Sequence, residues 1–323
     1  MDSFIVLSFV FGAIIGSFLN VVGLRLLREE EFVKRPSYCY SCEHRLSWLD
    51  MIPILSFILL RGKCRYCQAK VSFQYWAIEL LTASVFALTY YYFGLTFQTL
   101  LLMYLFANLI VILITDFREQ YIFDINSLGL IPFGLAFCAL EGWSAHLGAA
   151  GGWTGVGSNL LQAAFAVGFS WAVFAILNLF SRLLFKADGF GEGDTRLLMG
   201  LGSFFGLKAV VVIFVASFVL QVVLALPMMF FQWIQKGRLK VVGLFTAAFV
   251  LGVLPYGLQR LEALSAFQLP IALVCAITAL VLAFKAVKLS RESTDELTYI
   301  PFGPAICLAA GLFIFWSRSY MSG

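Results

Sequence analysis

Long apolar stretches separated by short polar ones run through almost the whole chain. Most of these stretches have the length of about 20 residues that an α-helix needs to cross a bilayer. Between residues 196 and 234 the pattern fits a short piece followed by a full span, because Gly200, Gly202 and Gly206 suit a closely packed or re-entrant segment. The predicted spans are 3–24, 77–94, 98–115, 125–141, 159–184, 196–206, 208–234, 241–259, 267–284 and 301–317. The pattern therefore predicts an all-α, polytopic membrane protein with about eight to ten spans.

Two connections interrupt the apolar pattern. The polar segment from Arg25 to Gln74 holds nine of the 22 lysines and arginines, and the segment from Glu141 to Gly157 is glycine-rich. We expect the first to form a small domain and the second an irregular loop. The predicted division is a first transmembrane helix at 1–24, a cytoplasmic domain at 25–75, a transmembrane core at 76–235, and C-terminal helices at 236–323 that include an inserted pair.

Composition and charge support this picture and orient it. The sequence is 61% hydrophobic and only 12% charged, too little charge for the surface of a soluble globule of this size. No basic segment precedes the first apolar stretch, so we expect an anchoring helix rather than a cleaved signal. With ten segments and the N-terminus outside, 19 of the 22 basic residues lie in inner loops, as the positive-inside rule favours. The net charge of +4 is spread over short loops and gives no indication of nucleic-acid binding.

Four cysteines in the long polar segment have the spacing of a metal site. They form the pairs Cys39-Tyr-Ser-Cys42 and Cys64-Arg-Tyr-Cys67, with 21 residues between the pairs. Each pair can bind one ion from a tight turn, and four thiolates complete a tetrahedral, structural zinc site. The alternatives are four unligated structural cysteines, or a site in which His44 replaces one ligand. The other cysteines lie in apolar spans and are expected to pack there: Cys138, Cys275 and Cys307.

Two carboxylates stand where predicted spans meet the same membrane face. Asp116 ends the third span and Asp194 opens the sixth, in the turn Gly191-Glu-Gly-Asp194. Acidic residues are costly at membrane depth, which makes both candidates for function. Two carboxylates that share a water molecule form an aspartyl protease dyad, in which one stays protonated and the other activates the water.

Less specific roles are also open for these acids. Asp194 could be a helix N-cap, and Asp116 could pair with Arg118 at the membrane interface. Of the neighbouring acids, we expect Asp124 to cap the fourth span. Asp188 and Glu192 are expected to be solvated.

Several stretches, in order along the chain, resemble the type IV prepilin peptidase family, also called leader peptidase/N-methyltransferase. They are Gly16–Val22, the two cysteine pairs around Trp48–Ser56, Ile78–Thr82, Asp116, Gly191–Asp194 and Ile300–Pro304. The resemblance covers nearly the whole chain. The sequence departs from the family pattern at Tyr121–Asp124, which lacks a proline before the aspartate, and at 236–299, which adds about two helices.

The resemblance implies a two-step activity. The enzyme would cleave the basic leader of prepilins or pseudopilins at the cytoplasmic face of the inner membrane, and would then methylate the new N-terminal residue with S-adenosylmethionine. The resemblance implies that Asp116 and Asp194 form the catalytic dyad. It implies Cys39, Cys42, Cys64 and Cys67 as zinc ligands in a methylation-associated domain. No donor-binding residue carries over. The alternatives are another intramembrane aspartyl protease with the same Gly-x-Gly-Asp turn, and an ion-coupled transporter.

Overall fold

The structure is a computed structural model. It describes residues 3–31, 36–145, 152–186, 189–235 and 301–321, with a few further positions between 240 and 285. The described part is helical and contains no β-strand. Its helices are α1 Ser3–Leu27, α2 Leu55–Leu59, α3 Phe73–Phe93, α4 Phe97–Glu119, α5 Asp124–Ser127, α6 Leu130–Ala145, α7 Gly152–Phe185, α8 Glu192–Gln235 and α9 Gly303–Met321, with a 3-10 turn at Trp48–Met51. The predicted all-α fold is confirmed.

Helices α1 and α3 pack against each other through glycine. A Cβ atom on Gly12 would lie 2.8 Å from Cα of Ala83, and one on Gly16 would lie 2.9 Å from Cα of Glu79. Small residues let two backbones approach closely where a membrane offers no hydrophobic driving force. This packing brings the C-terminal half of α1 against the N-terminal half of α3, where the polar domain begins.

Helix α4 is the centre of the bundle. It contacts α1, α3, α6 and α9, and most of its length is buried. Asn126 donates from Nδ2 to Oδ1 of Asn108 at 3.1 Å, which ties the short helix α5 to α4. Because α4 is surrounded by other helices, it is shielded as far as Asp116, whereas its last residues, Phe117 to Glu119, are exposed.

Helix α8 contains the break that the sequence predicted between 206 and 208. Gly206 has φ 74° and ψ −177°, which interrupts the helix between a short first part and a long second part. A residue with a side chain would be strained in that conformation.

The irregular loop predicted from Glu141 to Gly157 is shorter than expected, because α6 continues to Ala145 and α7 begins at Gly152. The predicted spans at 241–259 and 267–284 fall almost entirely outside the described residues.

Five described helical stretches are long and apolar enough to cross a membrane: Ser3–Leu27, Phe97–Glu119, Asp124–Trp143, Val156–Leu184 and Glu192–Val223. The shorter apolar helix Gly303–Ser317 joins them in one compact unit made of Met1–Leu220 and Pro301–Gly323. A second unit comprises Gln221–Ile300. Both candidate sites lie in the first unit.

Candidate functional site

Asp116 lies in the last turns of α4 and is 5% exposed. Its Oδ2 atom is buried and has no hydrogen-bond partner among the described residues, and the backbone amide of Gly303 faces the carboxylate. Gly303 is the first residue of α9, so the positive end of that helix dipole is directed at Asp116. A buried carboxylate oxygen without a protein partner is suited to hold water or a substrate carbonyl.

Asp194 is the third residue of α8 and is 6% exposed. Its carboxylate accepts from the backbone amide of Gly191, the residue just before the helix. Asp194 therefore lies inside the first turn and bonds back to its start, rather than being the N-cap. The carboxylate is also within electrostatic range of Asp116, 78 positions earlier in the chain. The fold thus brings together the two aspartates that the sequence singled out.

Ile122 holds these segments in place between the two aspartates. A Cβ atom on Gly193 would lie 2.8 Å from Cβ of Ile122, and one on Gly303 would lie 3.2 Å from its Cδ1. The residues next to Asp194 and next to the Asp116 carboxylate therefore pack on the same side chain. At both positions any residue larger than glycine would have to displace a neighbouring side chain, Ile122 at 193 and Asp116 at 303.

The acids around the pair have other partners than expected. The prediction that Asp124 caps a helix is wrong, because Asp124 is the first residue of α5 and its side chain makes no capping bond. Its carboxylate instead pairs with Arg196, which also binds Glu192 at 2.6 Å. Asp188 lies outside the described residues.

The suggested pairing of Asp116 with Arg118 is also wrong. Arg118 donates from Nε and Nη2 to Oε1 of Gln74, at 3.0 and 2.7 Å. Gln74 belongs to the first turn of α3, so Arg118 points away from the interior and towards the polar domain. Among the residues that the structure describes, no lysine or arginine forms an ion pair with Asp116.

The four cysteines of the polar segment lie together. Their Sγ atoms are all within 4.8 Å of one another, and those of Cys39 and Cys67 are 3.8 Å apart. Tetrahedral zinc with Zn–S bonds of about 2.3 Å requires neighbouring sulfurs to be roughly 3.8 Å apart. The residues therefore fit a four-thiolate metal site. His44 is not a member of this group, since its ring packs against Tyr66 with a centroid distance of 3.7 Å.

The two cysteine turns share one backbone plan. In the first, the amide of Glu43 donates to the carbonyl of Cys39 at 2.8 Å, and in the second that of Gln68 donates to Cys64 at 3.0 Å. Glu43 and Gln68 have φ of 56° and 59°, so each turn closes with a left-handed residue after its second cysteine. Such paired turns aim two sulfurs each at a common point, which is the arrangement that a four-thiolate site needs.

Electrostatics favour the thiolate form at Cys39. Burial opposes ionisation of Cys39, but hydrogen bonds from the amides of Ser41 and Cys42 and from neighbouring thiols lower its pKa to about 7. A thiolate is the form that binds metal. The opposite holds at Cys67: the amide of Ala69 lowers its pKa, but burial and hydrogen bonds with the other three thiols raise it to about 11. Cys39 is therefore the first thiolate of the cluster, and a bound metal would have to displace the proton of Cys67.

Asp50 stabilises the second cysteine turn. Its carboxylate accepts from Ser47 Oγ at 2.7 Å, from Arg65 Nε at 2.6 Å and from the hydroxyl of Tyr66 at 3.0 Å. Burial alone would raise the pKa of Asp50, yet these donors together lower it to about 2. Arg65 and Tyr66 lie within the second cysteine turn, so Asp50 fixes that turn to the segment between the pairs.

Sequence reasoning missed Gly303, Ile122 and Glu79 as parts of these sites. Gly303 was noted only within the motif Ile300–Pro304, and nothing local indicates that it meets Asp116. Glu79 is 7% exposed and accepts the backbone amide of Ile54 at 2.7 Å. Its position inside an apolar helix is the sequence feature that marks Glu79 as a candidate functional residue.

Comparison with known proteins places these features in a family. Residues 10–93 match the bacterial peptidase A24 N-terminal domain, and residues 103–226 match the type IV leader peptidase family. No solved structure matches the chain.

Curated relatives carry the name prepilin leader peptidase/N-methyltransferase. The one from Neisseria gonorrhoeae is 32% identical over 260 residues, covering 72% of this chain and 83% of the relative. That from Bacillus subtilis (strain 168) is 30% identical, covering 65% and 77%. That from Xanthomonas campestris pv. campestris is 30% identical, covering 97% and 91%. The chain belongs to the type IV leader peptidase family.

Proposed function

We propose that this protein cleaves the leader of type IV prepilins or pseudopilins with Asp116 and Asp194, and then methylates the new N-terminal residue. The observation that carries the peptidase half is the approach of two buried aspartates from α4 and α8 at one end of the bundle. The names of the relatives support the substrate and the second activity.

In this mechanism the two aspartates divide the work. Like charges this close do not both ionise, so one carboxyl group holds a proton while the other is a carboxylate. The carboxylate takes a proton from a water molecule while the oxygen of that water attacks the scissile carbonyl carbon. The protonated partner donates a hydrogen bond to the carbonyl oxygen, and a proton then passes to the leaving amine.

The place of the dyad suits a substrate that is itself a helix with a polar leader. Both aspartates lie near helix ends rather than at mid-span. An apolar substrate helix among α4, α6 and α8 would put its leader junction at that end. We place this end, with the cysteine domain beside it, on the cytoplasmic side of the bacterial inner membrane, because the basic loops lie there.

Zinc is the metal that four thiolates in this geometry favour, and Cys39, Cys42, Cys64 and Cys67 would hold it. Four protein ligands leave no open position, so its role is structural. The metal would supply folding free energy to the domain between α1 and α3.

The experiment that tests the proposal incubates the purified full-length protein with a prepilin and S-adenosylmethionine. Mass spectrometry of the product should show loss of the leader and then the mass of one added methyl group at the new N-terminus. A prepilin that keeps its leader under these conditions would refute the peptidase half. A cleaved but unmethylated product would refute the methylation half.

A further inference from the structure

A cavity of about 380 Å³ lies between the cysteine domain and the adjoining ends of α1, α3 and α4. Its volume is within the range of small-molecule sites. Neither Asp116 nor Asp194 lines it, so it is separate from the dyad. The lining residues that matter here are Ser17, Arg28, Tyr40, Tyr75, Glu79 and Arg118.

Glu79 is the most unusual of these residues. It is 7% exposed and accepts hydrogen bonds from the backbone amide of Ile54 and the side chain of Ser17. No lysine or arginine in the described part of the chain forms an ion pair with it. Buried carboxylates in proteins are normally paired with a cation. A carboxylate that lines a cavity without such a partner is suited to a cationic ligand.

The cavity also contains positive charge, near Tyr75. Tyr75 precedes Glu79 by four residues on α3 and therefore shares its face, about 6 Å nearer the start of the helix. Arg28 and Arg118 are within electrostatic range of Tyr75, and the Arg28 guanidinium lies 4.3 Å from the centroid of the Tyr40 ring. The cavity thus has an acidic side at Glu79, a basic side at the arginines, and tyrosine rings near the arginines.

We propose that this cavity binds the methyl donor, S-adenosylmethionine, with its sulfonium cation towards Glu79 and its amino-acid carboxylate towards Arg28 and Arg118. The inference rests on the methylation half of the proposed function. The donor carries one fixed cation, one carboxylate and one aromatic base. Those are the three groups that the carboxylate, the arginines and the tyrosine rings of the cavity recognise.

The test measures equilibrium binding of two ligands to the full-length protein. S-adenosylhomocysteine has the same carboxylate and base as the donor but lacks the sulfonium charge. Glu79→Gln should weaken binding of S-adenosylmethionine by about tenfold, the equivalent of one modest charge interaction, and should change S-adenosylhomocysteine binding much less. Glu119→Gln is the matched control, because Glu119 is exposed at the end of α4 and does not line the cavity.

A second variant separates charge recognition from a general loss of structure. Arg28→Gln should weaken the binding of both ligands to the same extent, because both carry the carboxylate. The variant should still bind S-adenosylmethionine more tightly than S-adenosylhomocysteine, because Glu79 is unchanged. Equal losses for both ligands in Glu79→Gln, or no loss, would overturn the assignment of the cavity. A wild-type protein that cleaves prepilin but binds neither ligand would overturn the methylation half of the proposed function as well.

Discussion

Gly303 lies so close to the Asp116 carboxylate that a Cβ atom at position 303 would overlap Oδ2 and come within 3.1 Å of Cγ. The start of α9 therefore forms one wall of the dyad, although 187 positions separate the two residues in the sequence. A substitution at Gly303 should act on the chemistry rather than on the fold.

Gly303→Ala should lower the rate of prepilin cleavage by about 100-fold or more, because it displaces a reacting carboxylate by a fraction of an ångström or more. The rate is measured with purified protein at saturating substrate. Gly311→Ala is the matched control on the same helix, because its Cβ would meet only Phe106, at 3.8 Å. A wild-type rate in Gly303→Ala would show that the close contact between position 303 and the Asp116 carboxylate is not required for cleavage.

Gly193→Ala should also impair cleavage, whereas Gly191→Ala should be tolerated. A Cβ at position 193 would lie 2.8 Å from the branched Cβ of Ile122, which cannot move aside, while one at 191 would find its nearest neighbour at 3.5 Å. Adding Ile122→Gly to Gly193→Ala should restore part of the lost rate, because glycine at position 122 removes the Cβ atom that causes the clash. Strictly additive losses in the double variant would contradict this contact.

Purified protein should contain one zinc ion per chain, measured by elemental mass spectrometry. Cys64→Ser should remove it, because Cys64 is a buried member of the four-thiol cluster and serine is a poor zinc ligand. Cys138→Ser is the control, since the Cys138 thiol donates to the carbonyls of Ser203 and Phe204 and lies outside the cluster. A folded wild-type protein without metal would refute the zinc site.

Asp50→Asn should speed the release of zinc to a chelator, since it removes the ion pair with Arg65 and unsettles the second cysteine turn. The pKa of Asp50 is lowered to about 2, so its stabilising effect is present above the ordinary aspartate pKa and is lost only as pH falls towards 2. The ratio of mutant to wild-type release rates should therefore be constant between pH 5 and pH 8. A ratio that falls towards one at pH 5 would contradict the assignment.

The sequence predicted what depends on local pattern. Span lengths predicted the helices, loop charge predicted the break that falls at Gly206, and cysteine spacing predicted the cluster. Asp116 and Asp194 could be found because acids are rare in apolar helices. These features need no knowledge of which helices touch.

The sequence did not predict what depends on contacts between distant segments. Asp124 pairs with Arg196, which lies 72 positions later in the sequence, instead of capping its helix. Arg118 binds Gln74 instead of Asp116. Likewise, Gly303 and Ile122 acquire their roles only when α9 packs beside α4. No local propensity carries that information, because tertiary packing decides which side chains meet.

The central claim is that Asp116 and Asp194 act together to cleave prepilin. The most direct measurement compares cleavage of a prepilin by wild-type protein, Asp116→Asn and Asp194→Asn, with zinc content as the control for folding. Each variant is predicted to keep its zinc and to leave the leader uncleaved, because either substitution removes half of the proton-sharing pair. Leader removal at the wild-type rate by either variant would contradict the account.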